Sequence, residues 1–527
     1  MLILTNAHIH TLNPRQPEAD CIAIGSGRVL AVGSRKDMEP LANARTTWQD
    51  MQGQTIIPGL TDAHIHLQTY ALNLQKIDCE TDTLQECLKR VAERAKKTDP
   101  ESWILGHGWN QNLWEGGFGT TRDLETVAPG RAVYLTAKSL HASWASQAAL
   151  QAAGISESTQ DPPGGIIQRD EQGMPTGILF ESAMGLVERA IPKPGDHEVE
   201  DAIASAQFDL MKMGITSVHD FDRIQCFQAL QSLAQAGKLH LRVVKGIPYE
   251  NLADAIQLGL QTGFGSTLLR MGSLKLFADG ALGPQTAAML EPYGNNPSNS
   301  GILLLDENQI VEIGIQAVKN GISLAVHAIG DRANRTVLNG YAKIRAFEKT
   351  HQIPHLRHRI EHVQLLNTQD LQRLSDLDIL ASVQPIHAPS DMITADHYWG
   401  ERARLAYPFH SLLESGARLV FGSDAPVESP NPFLGLHAAV TRQRISGDPG
   451  PMGWNPEQRI SLLDALHGFT TGPAFAAGLE SQAGILAEGF LADLIVLPTD
   501  PFQIPASELW TLTPSATMIG GQWFWTK

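Results

Sequence analysis

The stretch Thr55-Ile-Ile-Pro-Gly-Leu-Thr-Asp-Ala-His-Ile-His66 decides how this chain folds. Its apolar first part is typical of a buried strand, and its end carries two imidazoles, His64 and His66. Side chains two apart on a strand point to the same face, so the two rings are expected to lie side by side. Such a pair can begin a metal site, although one H-x-H motif alone is weak evidence for one.

Four later apolar runs follow the same pattern, each with a candidate metal ligand at or near its carboxyl end. These ligands are Lys275, His327, His362 and Asp424. Strand candidates alternate with helix-like stretches, which predicts a parallel sheet. The candidates are 55–66, 214–221, 241–247, 272–279, 322–328, 358–363, 379–385 and 419–424. We therefore predict an α/β fold, a (β/α)8 TIM barrel, with the ligands at the carboxyl face where such barrels carry out catalysis.

Two histidines, a lysine, two further histidines and an aspartate, in this order, resemble the amidohydrolase superfamily. Several segments are closer still to its YtcJ-like subgroup, which is related to N-substituted formamide deformylase. They are 103–109 (WILGHGW), 278–283 (ADGALG), 327–334 (HAIGDRAN), 359–364 (RIEHVQ) and 421–427 (FGSDAPV). The resemblance covers essentially the whole chain, and no ligand of the pattern is missing.

Both ends of the chain have a sequence pattern typical of short strands separated by turns. Neither end has enough strands to form a stable sandwich alone. The expected strands are 1–5, 21–24, 28–32, 483–486, 492–497, 516–519 and 522–525. The resemblance implies that residues 1–55 and 479–527 form one small β-sandwich beside a barrel of residues 56–478.

About 150 residues separate the first two barrel strands, far more than one crossover needs. This predicts a large insertion, about 68–205, which we interpret as a lid or pocket wall at the catalytic face.

The composition disfavours several classes of partner. The formal net charge is −16 at pH 7 and basic residues form no run, which argues against nucleic acid or an anionic membrane surface. Four scattered cysteines without a C-x-x-C motif indicate reduced thiols in a cytoplasmic setting. The first residues have neither a signal-peptide pattern nor that of a membrane span.

The candidate ligands suit Zn²⁺ or a similar first-row ion. The resemblance implies two divalent ions, the first held by His64, His66 and Asp424 and the second by His327 and His362. A protonated Lys275 beside two dications would be strongly disfavoured by like charge. The resemblance implies instead that its amine has reacted with CO₂ to give N6-carboxylysine, a bridging carbamate. An ion pair with Asp279 or another barrel carboxylate is the alternative.

Other residues are candidates for catalysis and substrate binding. Asp424 can accept a proton when water attacks and return it to the leaving nitrogen. His141 and His107 are candidate donors to the developing oxyanion, with structural hydrogen bonding as the alternative. Candidate pocket residues are Trp109, His219, Asp279, Asp331 and Gln384, and core packing is the alternative for the tryptophan. Glu361 is expected to point to the face of its strand opposite His362.

These patterns predict a hydrolase of a small-molecule substrate. As the subgroup resemblance implies, it would cleave a C–N bond other than a peptide bond, in an N-acyl or N-formyl amine. A deaminase, or a lactone or ester hydrolase on the same site, is an alternative, and Lys275 counts against the one-ion deaminases. A non-catalytic regulatory homologue is a third possibility, which the retention of every ligand disfavours. Family resemblance would also allow a homodimer.

Overall fold

The computed structural model describes residues 1–137, 142–294 and 296–527. The chain divides into two compact units, one formed by Met1–Tyr70 with Ile203–Lys527 and the other by Ala71–Ala202. The first unit contains an eight-stranded parallel sheet and two further sheets, and the second unit has a sheet of its own. Among the described residues, no helix combines the length and apolar character needed to cross a bilayer.

The eight-stranded sheet of the first unit is a TIM barrel, which confirms the predicted fold class. Its strands, numbered in chain order, are Leu60–Ile65 (β1), Ile215–Asp220 (β2), Arg242–Pro248 (β3), Leu269–Phe277 (β4), Leu324–Ala328 (β5), Arg359–His362 (β6), Leu380–Val383 (β7) and Leu419–Phe421 (β8). Neighbouring strands pair in parallel, and a parallel bridge between Ile65 and Ala425 joins the first strand to the segment after the last. Every residue of β1 is buried, as expected for a strand covered on both faces.

Helices follow the barrel strands, as a parallel sheet requires. In the first unit they are Ile224–Gln235, Leu252–Gln257, Glu307–Lys319, Asp331–Thr350, Leu371–Asp376, His387–Trp399, Phe409–Glu414, Pro432–Thr441, Leu462–Phe469 and Thr471–Ala476. A short helix, Arg35–Met38, precedes the barrel, and Leu67–Asn73 and Asp196–Lys212 adjoin the insertion. The helix after β4 begins at a capping box. There the Asp306 carboxylate accepts a hydrogen bond from the backbone N–H of Gln309 at 2.9 Å. In return, the side-chain oxygen of Gln309 accepts one from the backbone N–H of Asp306.

The predicted first strand, 55–66, is two strands in the structure. Thr55–Pro58 belongs to a terminal sheet, and the barrel begins at Leu60. Gly59 connects them against β2, where a Cβ at this position would lie 2.4 Å from the Thr216 side chain. Both strands are apolar and buried, so the pattern of the sequence does not reveal the change of sheet.

Two further sheets are built from the terminal segments, the first from the amino-terminal segment alone and the second from both. One contains Leu2–Thr5, Cys21–Gly25, Arg28–Gly33 and Thr47–Asp50, and the other contains His8–His10, Glu18–Ala19, Thr55–Pro58, Leu494–Leu497, Ala516–Ile519 and Gln522–Thr526. Ile22 and Ile24 of the first sheet and Leu494 of the second share one buried cluster, as in a sandwich. The strand predicted at 483–486 is wrong, since these residues form a bend and irregular backbone.

The second unit is built around a six-stranded mixed sheet. Its strands are Ile77–Asp78, Ile104–Trp109, Val133–Ala137, Ala142–Ala145, Gly165–Arg169 and Pro175–Glu181, and its helices are Leu84–Lys97, Thr121–Val127, Gln147–Ala152 and Met184–Glu188. The longest of these helices is capped by Thr83, whose hydroxyl accepts the backbone N–H of Glu86 at 3.2 Å. Tryptophans 109, 114 and 144 are buried together in the core of this unit.

Candidate metal centre

The candidate ligands converge at the carboxyl ends of the barrel strands. His64 Nε2 and His66 Nε2 each lie 3.4 Å from Asp424 Oδ1. Lys275 Nζ lies 3.4 Å from His64 Nε2. The ring of His362 is 5.0 Å from that of His64 and 4.5 Å from that of His327, centroid to centroid. Side chains from β1, β4, β5, β6 and the end of β8 thus meet in one place.

The backbone after β8 is shaped to bring Asp424 to this point. Its φ of 61° lies in the left-handed region, and its N–H donates to the His64 carbonyl at 2.7 Å. The preceding Ser423 is held by Asp62, which accepts its backbone N–H at 3.0 Å. Gly422 allows the close approach of this segment to β1, because a Cβ there would lie 2.4 Å from the His64 nitrogen.

Glu361 orients His64, a role that the sequence did not predict. Its Oε2 lies 2.6 Å from His64 Nδ1, so the N–H of Nδ1 faces the carboxylate and Nε2 keeps its lone pair. The prediction that Glu361 and His362 point to opposite faces is wrong, because both contact His64. His362 has a φ of 77°, which breaks the regular alternation of a strand. The spacing Arg359-x-Glu361, two opposite charges on one face of a buried strand, is the signal that could have revealed this carboxylate.

The other imidazoles also have defined surroundings. His66 Nδ1 lies 3.4 Å from Asp222 Oδ1, and His327 Nε2 donates to the Gly280 carbonyl at 2.9 Å, which leaves Nδ1 of His327 with its lone pair. In contrast, His362 Nδ1 and His387 Nε2 are buried without a hydrogen-bond partner among the described residues. A buried polar nitrogen without a partner is costly, and a cation would satisfy it.

Burial keeps most of these rings neutral, the form that binds metals. Burial, reinforced by the positive charge of Lys275, lowers the pKa of His64 and of His327 to about 4. His66 differs: burial opposes its charge, but hydrogen bonds to Asp222 and Asp424 outweigh burial and raise its pKa to about 9. Neutral imidazole is the ligand for Zn²⁺ and related ions.

The donor set fits a divalent metal. Asp424 is shared by two groups whose ligand atoms lie within 4.8 Å of one another, His64 with His66 and His362 with His387. Nitrogen and carboxylate ligands in this number are those that Zn²⁺ prefers. His387, which is not among the residues singled out from the sequence, is therefore a further candidate ligand. No local pattern marks it, since it opens a helix one turn after β7.

Two of the predicted pocket residues, Gln384 and Asp279, lie beside histidines of the centre, and a third, Asp331, holds a neighbouring segment. Gln384 is buried, with its amide nitrogen 3.2 Å from His64 Nδ1. Asp279 accepts the backbone N–H groups of Ile329 and Gly330 at 3.0 and 2.8 Å, so it holds the loop after β5, and its Oδ1 lies 3.5 Å from His327 Nε2. Asp331 begins the next helix and accepts the backbone N–H of Leu290 at 2.8 Å.

The other predicted residues have different surroundings. His219 is buried inside the barrel, with Nδ1 3.0 Å from an Arg359 nitrogen. Trp109 is 1% exposed, stacks on Trp114 and donates to the Leu135 carbonyl at 2.8 Å, so it fills the core of the second unit, in agreement with the core-packing alternative. His107 lies in the same unit, with Nδ1 2.8 Å from the Thr136 hydroxyl. His141 lies outside the described residues.

A cavity of about 440 Å³ opens beside the centre. Its lining combines polar groups of the centre with aromatic and aliphatic side chains: His66, Phe221, Asp222, Lys275, Phe277 and Leu304. Pockets of this size, mostly apolar with a few converging polar groups, are typical of small-molecule sites.

The fold and this centre together define a TIM-barrel protein with a histidine and carboxylate site of the kind that binds divalent metal ions. The model of the amidohydrolase family matches residues 48–524. The chain belongs to the amidohydrolase family, a family of hydrolases, and the resemblance noted in the sequence is confirmed.

Individual relatives extend over nearly the whole chain. The protein YtcJ of Bacillus subtilis (strain 168) is 32% identical, over 98% of this chain and 98% of its own length. N-substituted formamide deformylase of Arthrobacter pascens is 28% identical, over 99% of this chain and 97% of its own. Among solved structures, an uncharacterized metal-dependent hydrolase from Pyrococcus furiosus matches with a TM-score of 0.79 at 29% identity, over 95% of this chain and 100% of that one.

Proposed function

We propose that this protein is a metal-dependent hydrolase that cleaves the C–N bond of an N-acyl or N-formyl amine. The observation that carries the proposal is the convergence of His64, His66 and His362 on Asp424, with Lys275 against His64. Similarity to the deformylase over nearly the full length supports an amide of this kind as the substrate. The fold alone would not select it, because TIM barrels host many reactions.

The residues of the centre would hold two divalent ions, with Zn²⁺ as the first choice. His64, His66 and Asp424 would hold the first ion, His327 and His362 the second, and Lys275 both; His387 lies beside Asp424 and His362 as a further ligand. When bound, such ions lower the pKa of a water molecule and polarise a carbonyl group.

Lys275 would act as N6-carboxylysine. Its side chain is buried against the rings of Phe221 and Phe277, and burial lowers its pKa to about 8. The ammonium group first loses a proton, and the neutral amine then forms an N–C bond to CO₂ and releases a second proton, so the cation becomes an anionic carbamate. The alternative partner, Asp279, is instead occupied by backbone N–H groups such as that of Gly330. These surroundings support the carbamate over the ion pair.

Asp424 would move the proton. Burial raises its pKa, but His64 and His66 outweigh burial and hold that pKa well below the usual range, so the side chain is a carboxylate at neutral pH. It accepts a proton from water as the water oxygen bonds to the substrate carbonyl carbon. When the C–N bond breaks, the same proton passes to the leaving nitrogen. The products are a carboxylic acid, formic acid for an N-formyl substrate, and an amine.

The cavity suits an amine with an apolar or aromatic group. Phe221 and Phe277 supply aromatic surface, while His66 and Asp222 lie on the polar side. A volume of about 440 Å³ admits a small molecule. A peptide chain would need a longer groove.

A substrate panel tests the proposal. The zinc-loaded protein is assayed against N-formyl and N-acyl amines, lactones, esters and aminated bases, next to Asp424→Asn and the matched surface control Asp50→Asn. We expect amide turnover in the wild type and the surface control but not in Asp424→Asn. Turnover of esters or lactones alone would contradict the proposed bond. Zinc is counted per chain in the wild type and in a variant with His64, His327 and Asp424 all replaced by asparagine. A difference near two ions supports the paired ions at the centre, and a difference near one would contradict them and favour a one-ion deaminase.

A further inference from the structure

A second group of metal-ligating side chains lies in the terminal sheet that contains His8–His10. His8 and His10 are two apart on this strand, and their ring centroids are 4.6 Å apart. Glu18 lies directly opposite His10 on the antiparallel partner strand. One ligand atom from each of the three side chains lies within 4.8 Å of the others. Ligands about 2.1 Å from one ion are at most about 4.2 Å apart, so a small rotation of exposed Glu18 closes the set.

Asp500 gives this cluster a buried negative charge. The side chain is 9% exposed, and its Oδ1 lies 3.0 Å from His10 Nε2 and 2.9 Å from the donating N–H of Phe502. Its Oδ2 lies 3.0 Å from His8 Nδ1, yet no described residue gives this buried oxygen an aligned hydrogen bond. A buried carboxylate oxygen in this condition is costly unless a cation is near.

We propose that His8, His10 and Glu18 bind one Zn²⁺ or a similar first-row ion at this sheet, with Asp500 as the carboxylate that orients the imidazoles. Imidazole nitrogen selects such ions over Mg²⁺ or Ca²⁺. Histidine ligands characteristically face a carboxylate with their second nitrogen, as His10 faces Asp500. Two carboxylates and two neutral imidazoles also balance the charge of one dication.

The position of the site indicates what the ion would do. His8 and His10 belong to the amino-terminal segment, whereas Asp500 follows the carboxy-terminal strand Leu494–Leu497. Because Asp500 faces both imidazoles, an ion here would strengthen the contact between the amino-terminal and carboxy-terminal segments of this sheet. It would stabilise the folded state, because the unfolded chain does not bring the segments into contact. The adjoining cavity, about 360 Å³ and lined by both histidines, gives the ion access.

Zinc counting tests the proposal on the full-length protein. The protein is stripped with a chelator, incubated with Zn²⁺, desalted and analysed for zinc per chain. The variant His8→Gln is compared with the wild type and with His410→Gln, a matched control because the two side chains are 43% and 46% exposed. We expect His8→Gln to hold one zinc ion fewer than the wild type and than His410→Gln. When the two histidine variants are each combined with Asp424→Asn, the same difference of one ion between them should remain. Equal zinc contents would overturn the proposal.

Two further variants keep the result independent of any effect on folding. Glu18→Gln changes only an exposed side chain and should weaken zinc binding at this site. Asp500→Asn should weaken it roughly 10–100-fold, as expected when a carboxylate behind a metal-binding histidine is lost. Zinc should also raise the melting temperature of the stripped wild type more than that of His8→Gln. Unchanged affinity in both variants, or an equal zinc-induced rise in melting temperature, would refute the site.

Discussion

Replacing Glu361 with glutamine tests how the barrel orients its first candidate ligand. Glu361 is fully buried, and its Oε2 lies 2.6 Å from His64 Nδ1, 2.7 Å from the Ser382 hydroxyl and 3.0 Å from an Arg359 nitrogen. Glutamine keeps the volume of the side chain but removes its charge. The N–H of His64 loses a charged acceptor, and Arg359 loses its buried counter-charge.

The two losses have different magnitudes and different readouts. A carboxylate that holds a metal-binding imidazole contributes roughly 10–100-fold to metal affinity or activity. This corresponds to about 1.4–2.8 kcal/mol. Breaking a buried ion pair by removing one partner costs about 3–5 kcal/mol of folding free energy, because the charge of Arg359 stays buried. Glu361→Gln should therefore lower both zinc affinity and stability.

Glu348→Gln is the matched control. Glu348 is also buried between a histidine and an arginine, 2.9 Å from His358 Nε2 and 2.8 Å from an Arg345 nitrogen, but neither partner is a candidate ligand. Zinc titration by calorimetry and denaturant unfolding are measured for both variants and the wild type. We expect both variants to be less stable and only Glu361→Gln to bind zinc more weakly. Equal zinc affinity in the two variants would refute the orienting role of Glu361.

Three further predictions concern the centre and the stability of the barrel. Asp424→Asn should lower kcat by about 10²–10⁴-fold with an unchanged circular dichroism spectrum, since a general base is lost and the volume is kept; a wild-type kcat would rule out its role. Lys275→Ala should lose zinc and activity together, measured by elemental analysis and turnover, and short carboxylic acids should restore part of both; complete failure of this rescue would count against the carbamate. Burial lowers the pKa of His358 although Glu348 opposes this. Below about pH 6.5 the unfolded histidine therefore takes up a proton that the folded one does not, and the free energy of unfolding falls by up to about 1.4 kcal/mol per pH unit. His358→Asn should flatten this slope between pH 7 and 5 in denaturant titrations, and identical slopes would contradict the assignment.

Local patterns were sufficient for the barrel strands, and they also indicated the candidate ligands that the structure brings together. A strand buried on both faces must be apolar along its length, so each run is visible in the sequence wherever it occurs. A ligand interrupts such a run only at its carboxyl end, and His327 in β5 and His362 in β6 stand out for that reason. The same reasoning failed at residues 55–66, because two consecutive buried strands in different sheets have the same local pattern as one.

The roles of several side chains depended on contacts between distant segments. Glu361 contacts His64, which lies 297 positions away in the sequence. The positive φ of His362, which lets Glu361 and His362 both reach His64, has no sequence pattern of its own. The sequence predicts Trp109 as a pocket residue with core packing as the alternative, and its stacking on Trp114 places it in a core.

By itself, the sequence determined which strands form the barrel and which residues can bind a metal, because burial and donor chemistry belong to each residue type and its near neighbours. Only the tertiary structure decided which of these groups meet: Glu361 behind His64, His387 beside Asp424, and Asp500 beside His8 and His10. Hydrogen bonds and shared charges act over a few ångströms in space, and their partners can lie anywhere along the chain.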